Sequence, residues 1–447
     1  MGAGNMNITE LSTVMRENGV VGAGGAGFPS YAKLNTKADT IILNCAECEP
    51  LLKLHRQVLE KYAFEILSTL EVIADAVEAE HIIIAIKGSY KNAVEAVKSN
   101  LSSFKKVEIG ILPEIYPAGD EVITIYETTG RVVPPGSIPI EVGVIVYNVE
   151  TIYNVYRAMK ETAPVTYKYI TIAGEVKNPV TLKAPLGMTY QELIELAGGA
   201  TVENPVLIAG GPMTGRIASG FETVTKTSNA ILVMPPSAYI VLKRSSKIQV
   251  DMKRAMAACC QCQMCTDLCP RHLLGHPIQP HAFMRSASSG VTSDIEPYMG
   301  TMFCSQCGLC EMYSCFQSLS PRTLIGECKA GLRKNGVPIP KGVEAKQTDP
   351  QRDNRRVPMS RLTARLGLSK YNVPAPLKDE LVTPAQVKIQ LTQHIGAPCT
   401  ATVKAGDSVV AGQMIGTVDN SKLGVNIHAS ITGTVIDVNE KFVTIKA

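Results

Sequence analysis

Over its first 150 residues the chain alternates two patterns. Short runs of aliphatic and β-branched residues, Thr40 to Asn44, His81 to Ile86 and Val107 to Leu112, have the length and composition of strands buried on both faces. Between them, apolar residues recur every three or four positions. Ile8, Leu11, Val14 and Met15 do so within 7–18, which Asn18-Gly19 ends, and Leu59, Tyr62, Ala63, Ile66, Leu70, Ile73 and Val77 do so within 56–79. The spacing predicts helices in both stretches, continuous over 56–79, and another from Lys91 to Leu101. Strands alternating with helices imply a parallel sheet with helices on its faces and a ligand site at the carboxyl ends of the strands. Three polar loops follow apolar runs at that edge: Asn44 to Pro50, Tyr116 to Glu121 and Tyr147 to Thr151. They are candidates for one shared site.

Further along, the pattern changes. Tyr167 to Gly174 alternates as a strand, Lys177-Asn178-Pro179 is a turn, Tyr190 to Leu196 a short helix ended by Gly198-Gly199, and Val206 to Ala209 a strand again. That order suits a small β-grasp module, and Ile231 to Met234 and Tyr239 to Leu242 lead out of it. Residues 335–376 are polar and basic with scattered prolines, the style of a linker or an arm laid over another domain. Arg352, Arg355, Arg356, Arg361 and Arg365 there are expected to be solvated or paired. In the last 65 residues, Gly406 to Gln413 and Ile427 to Val435 form a quasi-repeat of short strands and turns, in the manner of a barrel-sandwich hybrid.

Composition narrows the function. The 447 residues are 45% hydrophobic and 19% charged, enough for two to four domains with their own cores. A net charge of +4 over that length gives no basis for nucleic-acid or membrane-surface binding. No run of 18 apolar residues and no signal-peptide pattern occurs, so neither a membrane span nor secretion is expected.

The 13 cysteines decide the chemistry. Eight fall in two runs, Cys259-x2-Cys262-x2-Cys265-x3-Cys269-Pro270 and Cys304-x2-Cys307-x2-Cys310-x4-Cys315. Three thiolates at i, i+3 and i+6 face one iron-sulfur cube, while the fourth reaches the cube of the other run, as in bacterial two-cluster ferredoxins. This predicts one 4Fe-4S cluster on Cys259, Cys262, Cys265 and Cys315, and another on Cys304, Cys307, Cys310 and Cys269. A pair of zinc sites would leave the third cysteine of each run idle. Two features depart from the ferredoxin pattern: Cys260 is an extra thiol able to compete as a ligand, and the second run has x4 with no proline after Cys315. Thiolate clusters imply a reducing, anaerobic compartment.

The remaining motif is Gly22-Ala23-Gly24-Gly25-Ala26-Gly27-Phe28-Pro29. Four glycines in six residues let backbone amides turn toward an anion, although the same permissiveness serves a tight structural turn. It follows a helix, not a strand, so it is no Rossmann fingerprint.

Together, this glycine loop, Asn44-x-Ala46-Glu47-x-Glu49-Pro50, Tyr116-Pro117-Ala118-Gly119-Asp120-Glu121 and Asn148-Val149-Glu150-Thr151 resemble the flavin and NADH site of the C components of Rnf complexes and, more distantly, of the FMN subunit of respiratory complex I. With the barrel-sandwich module last instead of first, the chain is most similar to the cobalamin reductases of propanediol-utilisation microcompartments. The resemblance implies a multidomain α/β fold. A complex I FMN-subunit-like flavin domain would occupy 1–160, a β-grasp (SLBB) domain 161–245, a ferredoxin-like domain with two 4Fe-4S clusters 246–334, a linker 335–380, and an all-β barrel-sandwich hybrid 381–447.

The same resemblance implies that Gly22, Gly24, Gly25, Ala26, Gly27, Phe28 and Lys33 hold the phosphate end of FMN. Asn44, Glu47, Asp120, Glu121, Asn148 and Thr151 would line the flavin, and Glu49, with Glu47, would act catalytically near the nicotinamide. It implies an NADH-dependent oxidoreductase passing electrons through FMN and two 4Fe-4S clusters to cobalamin. It also implies a cytoplasmic or microcompartment location, with cobalamin adenosyltransferase or other microcompartment proteins as neighbours. Two alternatives stand beside it: an electron-transfer protein feeding proline reductase or a radical enzyme, and a component of an Rnf-type complex. Cys45-x2-Cys48 has thiol-exchange spacing, which favours the former, or is simply a pair of buried small hydrophobes. His55-Arg56 departs from the family pattern, and His55 is expected at the surface or in a loop. The other histidines show no metal spacing, and Lys422 lacks the flanking methionines of a modified carrier lysine.

Overall fold

The computed structural model describes residues 6–447, so the first five residues of the expected 1–160 domain lie outside it. The chain opens on helix Ile8–Glu17, whose first turn is closed by a capping box: Asn7 accepts the Glu10 N–H, and Glu10 accepts that of Asn7. Four parallel strands follow in the order Val107–Leu112, His81–Lys87, Thr40–Asn44, Val144–Asn148. Their register sets Asn44 beside Asn148 at the carboxyl edge, so the first and last polar loops meet there.

The continuous helix expected over 56–79 is two helices, Leu54–Lys61 and Ala63–Val77. Tyr62 leaves helical geometry at φ −122°, ψ 34°. Its ring stacks on Tyr153 at 4.1 Å and its hydroxyl donates to Asp379, a partner no local pattern could reveal. The loop 116–121 also differs from a simple strand exit. Ile115–Tyr116 pairs antiparallel with Val357–Pro358, and Asp120 caps helix Glu121–Thr129 by accepting the N–H groups of Val122 and Ile123.

The second unit is a six-stranded sheet in the order Leu377–Leu381, Val180–Pro185, Tyr167–Gly174, Ala230–Met234, Val206–Ala209, Arg216–Ala218. Ala230–Met234 runs parallel to Tyr167–Gly174, the central pair of the grasp. Tyr239–Arg244, beyond it, is helical. The edge strand Leu377–Leu381 belongs to the stretch expected as a linker. Residues 335–380 are therefore a docked arm: Arg352 is buried against Glu127, Arg356 pairs with the same carboxylate, and only Arg361 and Arg365 of the five arginines are exposed.

Asp379 pins that arm, accepting from Lys61, Tyr169 (2.6 Å) and Tyr62. Burial alone would raise its pKa, but these donors, with Lys183 nearby, hold it down to about 2. A carboxylate depressed below its unfolded value of about 3.9 stabilises the fold above that pH and loses the contribution as pH falls toward 2. Urea midpoints are accordingly expected to drop between about pH 4 and pH 2 more steeply in the wild type than in Asp379→Asn; equal slopes would remove Asp379 as the clasp.

Helices Ile248–Ala258, Pro280–Ser289 and Pro321–Lys334 of the third unit pack around Phe283, Met284, Leu324 and Ile325, with both cysteine runs between them. The C-terminal unit is two small sheets, one of Gln386–Gln390, Phe442–Lys446, Gly433–Val438 and Ser408–Val409, the other of Thr400–Ala401, Met414–Thr417 and Ile427–His428. Val387, Ile389, Ile415, Val435 and Ile445 fill the space between them. This hybrid rests on the glycine loop. The Ile395 N–H donates to the Gly27 carbonyl at 3.1 Å, and buried Lys226 bridges the carbonyls of Gly19 and Asn426. Lys422 is exposed.

Candidate functional site

A cleft of about 440 Å³ opens at the carboxyl edge of the parallel sheet. Gly22, Gly24, Gly25, Ala26, Gly27, Phe28 and Lys33 form one wall, with Asn44, Glu47, Glu49, Glu121, Asn148 and Thr151 around the rest. The glycine loop is held by Thr151, whose hydroxyl accepts the Ala23 N–H at 2.9 Å. Gly24 has no room for a side chain: a Cβ there would lie 2.5 Å from Asn148 Nδ2. Lys33 donates to the Val146 carbonyl at 2.8 Å and to Glu121 at 3.2 Å, reaching the cleft from the sheet side.

Asp120 is the exception among the expected residues. Its carboxylate does not line the cleft; besides capping its helix it accepts two hydrogen bonds from Arg271, each 2.9 Å, in the cysteine-rich unit. The two acids expected to be catalytic line the cleft but are already engaged. Glu47 is buried, accepts the His55 N–H at 2.9 Å and pairs with Arg56; burial raises its pKa, and Arg56 opposes the rise. Glu49 accepts the N–H groups of Met213 and Thr214 at 2.7 and 2.8 Å and the Thr214 hydroxyl, so it ties the cleft to the β-grasp unit. Burial raises its pKa, and the Thr214 and Met213 donors work against the rise.

His55 overturns the expectation of a surface histidine. It is buried, faces the cleft, and lies 3.3 Å through Nδ1 from Asn148 Nδ2. Burial, with the charges of Lys168 and Arg56, pushes its pKa well down, so it is neutral. Gly210, Gly211, Thr214 and Asn229 of the β-grasp unit also line the cleft; only docking brings them there, and no local sequence signal marks them. Cys45 packs in the core between helices and sheet, whereas Cys48 faces the cleft and packs near Cys307 and Leu309, so the two fall in different apolar clusters. Ser30 Oγ and Asn229 Oδ1 are buried at the cleft without hydrogen-bond partners in the protein. Unpaired polar atoms, an open glycine wall and one lysine fit a polar, phosphate-bearing ring ligand such as FMN.

The eight cysteines of the two runs line two separate cavities. One takes Cys259, Cys262, Cys265 and Cys315, together with Cys260; the other takes Cys304, Cys307, Cys310 and Cys269. The loops are copies of each other. Gln261 and Gln306 both adopt positive φ, 56° and 60°, and send their amides to the Sγ of Cys259 and Cys304 at 3.2 and 3.3 Å. Burial pushes Cys265, Cys269 and Cys307 up to about 12, so the cavities alone favour thiols, and metal charge is what makes thiolates there. Four thiols around each of two compact spaces fit two 4Fe-4S cubes. Among the other candidates, His272 and His276 bond to the carbonyls of Ile278 and Val133, each at 3.0 Å.

The second cavity abuts the cleft. Tyr116 donates to the Cys307 carbonyl, Arg271 joins that cavity to Asp120, and Cys48 packs in the same apolar cluster as Cys307. The first cavity faces solvent, with Cys260, Cys262 and Phe316 exposed at its mouth.

Comparison with known proteins agrees with this geometry. Residues 15–157 match the Nuo51 FMN-binding domain, 169–217 the SLBB domain, 258–320 the 4Fe-4S dicluster domain and 375–447 the RnfC barrel sandwich hybrid domain. Over 446 residues the chain is 38% identical to cobalamin reductase PduS of Salmonella typhimurium, covering 99% of this chain and 97% of that one. It belongs to the cobalamin reductase family. The Citrobacter freundii member is also 38% identical, over 96% of this chain and 95% of its own. The C component of the Na(+)-translocating ferredoxin:NAD(+) oxidoreductase complex of Acetobacterium woodii is 32% identical over 60% of this chain and 59% of its own. Like other members of the cobalamin reductase family, this chain is an oxidoreductase, with FMN and two 4Fe-4S clusters as its redox groups. Among the described residues no helix is long and apolar enough to cross a membrane.

Proposed function

We propose that the chain takes hydride from NADH in the cleft and delivers single electrons to cobalamin at the solvent-facing end of the cysteine-rich unit. FMN supplies the exchange between a two-electron hydride donor and one-electron carriers, and the clusters supply one-electron transfer. In this reading the glycine loop and Lys33 bind the phosphate, while Asn44, Asn148 and Thr151 fix the loop and the ring edge. Glu47 and Glu49 act as positioning groups, because their oxygens are committed to Arg56, His55, Met213 and Thr214. His55 lines the cleft with its Nδ1 beside Asn148 and its Nε2 3.8 Å from Glu150, so it positions Asn148 at the cleft wall.

The observation that carries the reading is adjacency: the cleft meets the cavity of Cys304, Cys307, Cys310 and Cys269 through Cys48 and Tyr116, and the cavity of Cys259, Cys262, Cys265 and Cys315 in the same unit opens to solvent. Asp120 and Arg271 then serve as the brace that keeps the first two in register. Cobalamin as acceptor rests on the relatives' names. The family likeness further suggests a location in or beside a microcompartment, with cobalamin adenosyltransferase as a neighbour.

The test is an anaerobic visible spectrum of the reconstituted protein. Added NADH is expected to bleach both flavin and iron-sulfur absorbance, and cob(III)alamin added next is expected to restore them as it is reduced. Bleaching that only a protein acceptor reverses would replace cobalamin in the proposal, and an unresponsive flavin would remove NADH.

A further inference from the structure

The two cysteine loops are structural copies, and they differ at one chemically active position. Cys259-Cys260-Gln261-Cys262 corresponds to Cys304-Ser305-Gln306-Cys307, with the glutamines in the same positive-φ conformation and bonded to the same sulfur. Each middle residue, Cys260 or Ser305, lines its own cavity. Since serine serves in one copy, the turn itself does not require a thiol at this position. Cys260 is exposed, as is Cys262, and both line the same solvent-facing cavity. Five thiols therefore surround the solvent-facing cavity, against four around the inner one.

We propose that Cys260 is an exchange ligand of the solvent-facing cluster, able to take over the iron held by Cys262. This rests on the reading that Cys259, Cys262, Cys265 and Cys315 hold a 4Fe-4S cluster. The exchange balances without electron transfer: one Fe–S bond to Cys262 breaks, one to Cys260 forms, and the Cys260 thiol proton passes to the released Cys262 thiolate. Of the four bonds holding this cluster, the one to Cys262 ends on an exposed residue, where solvent and a docking acceptor press on it; a neighbouring thiolate recaptures the iron before it is lost. The inner cluster, enclosed and next to the flavin cleft, has only a serine at that position.

The experiment counts iron and sulfide in the full chain reconstituted anaerobically, with EPR of the dithionite-reduced protein and far-UV circular dichroism to verify folding. The wild type, Cys260→Ala and Cys262→Ala are each expected to hold about eight irons, and Cys260→Ala/Cys262→Ala about four, from two four-iron cubes. The inner site supplies the converse. Cys307→Ala is expected to fall to about four irons, and Ser305→Cys/Cys307→Ala to recover toward eight. If Cys262→Ala alone loses as much iron as the double variant, or if Ser305→Cys rescues nothing in a folded Cys307→Ala chain, the exchange role of Cys260 is wrong. If the Cys260/Cys262 double variant keeps all eight, the ligand reading beneath it fails instead.

Discussion

Lys168→Met is expected to destabilise the protein by about 3–5 kcal/mol, the cost of stripping the partner from a buried charge. Lys168 and Glu150 are each about 1% exposed, so neither has water to fall back on. Glu150 sits in the first turn of helix Val149–Lys160 and also accepts the Tyr169 N–H at 3.0 Å, while His55 Nε2 lies 3.8 Å away. Burial lowers the lysine's pKa and raises the carboxylate's, each opposed by the partner, so the pair holds its charge only as a pair. Lys168 belongs to the β-grasp sheet and Glu150 to the flavin unit, and the loss is expected to appear as separation of the two, read by urea denaturation followed by both flavin release and tyrosine fluorescence. Lys168→Met/Glu150→Gln should recover part of the loss, because no uncompensated charge remains. A single-variant loss below about 1 kcal/mol would mean that water reaches the pair.

Gly24→Ala is the second large effect, and it falls on the ligand. The added methyl would sit 2.5 Å from Asn148 Nδ2 and 2.9 Å from its Cγ, and Asn148 cannot yield freely because it caps its helix and neighbours His55. Overpacking of this kind costs about 1–3 kcal/mol, which corresponds to about a fivefold to 150-fold loss of FMN affinity if it is expressed at the cleft. Titration of the apoprotein with FMN measures it. Gly25→Ala is the companion variant: nothing in the protein lies within 4 Å of its Cβ, so the apoprotein should be unchanged and any loss reports a ligand in that space. Unaltered FMN affinity in both variants would move the flavin away from the loop.

What the sequence could and could not announce follows from the range of the interactions. The β-branched runs ending in Asn44 and Asn148 are local signals, and the sheet aligns their ends in register. The cysteine runs carry their spacing with them. Asp120 looked like its cleft neighbour Glu121, and what draws it elsewhere is Arg271, 151 residues away. Apolar periodicity continues across Tyr62, so the break there is invisible without Asp379. The strand Leu377–Leu381 reads Leu-Lys-Asp-Glu-Leu, with no alternation; its place comes from the open edge at Val180–Pro185. Glu49 likewise looks like a free acid until Gly211 and Thr214 close over it. A Cβ on Gly211 would lie 2.3 Å from the Glu49 side chain, so the missing methyl is what admits the contact.

The seat of the hybrid unit on the glycine loop bears on how the protein is made. The Gly27 carbonyl waits for a donor at Ile395, and Lys226 for a carbonyl at Asn426, so a chain emerging from the ribosome has its flavin unit long before the residues that brace the loop. The bracing of the loop is thereby completed only late in synthesis, and a prematurely terminated chain carries its glycine loop without that support.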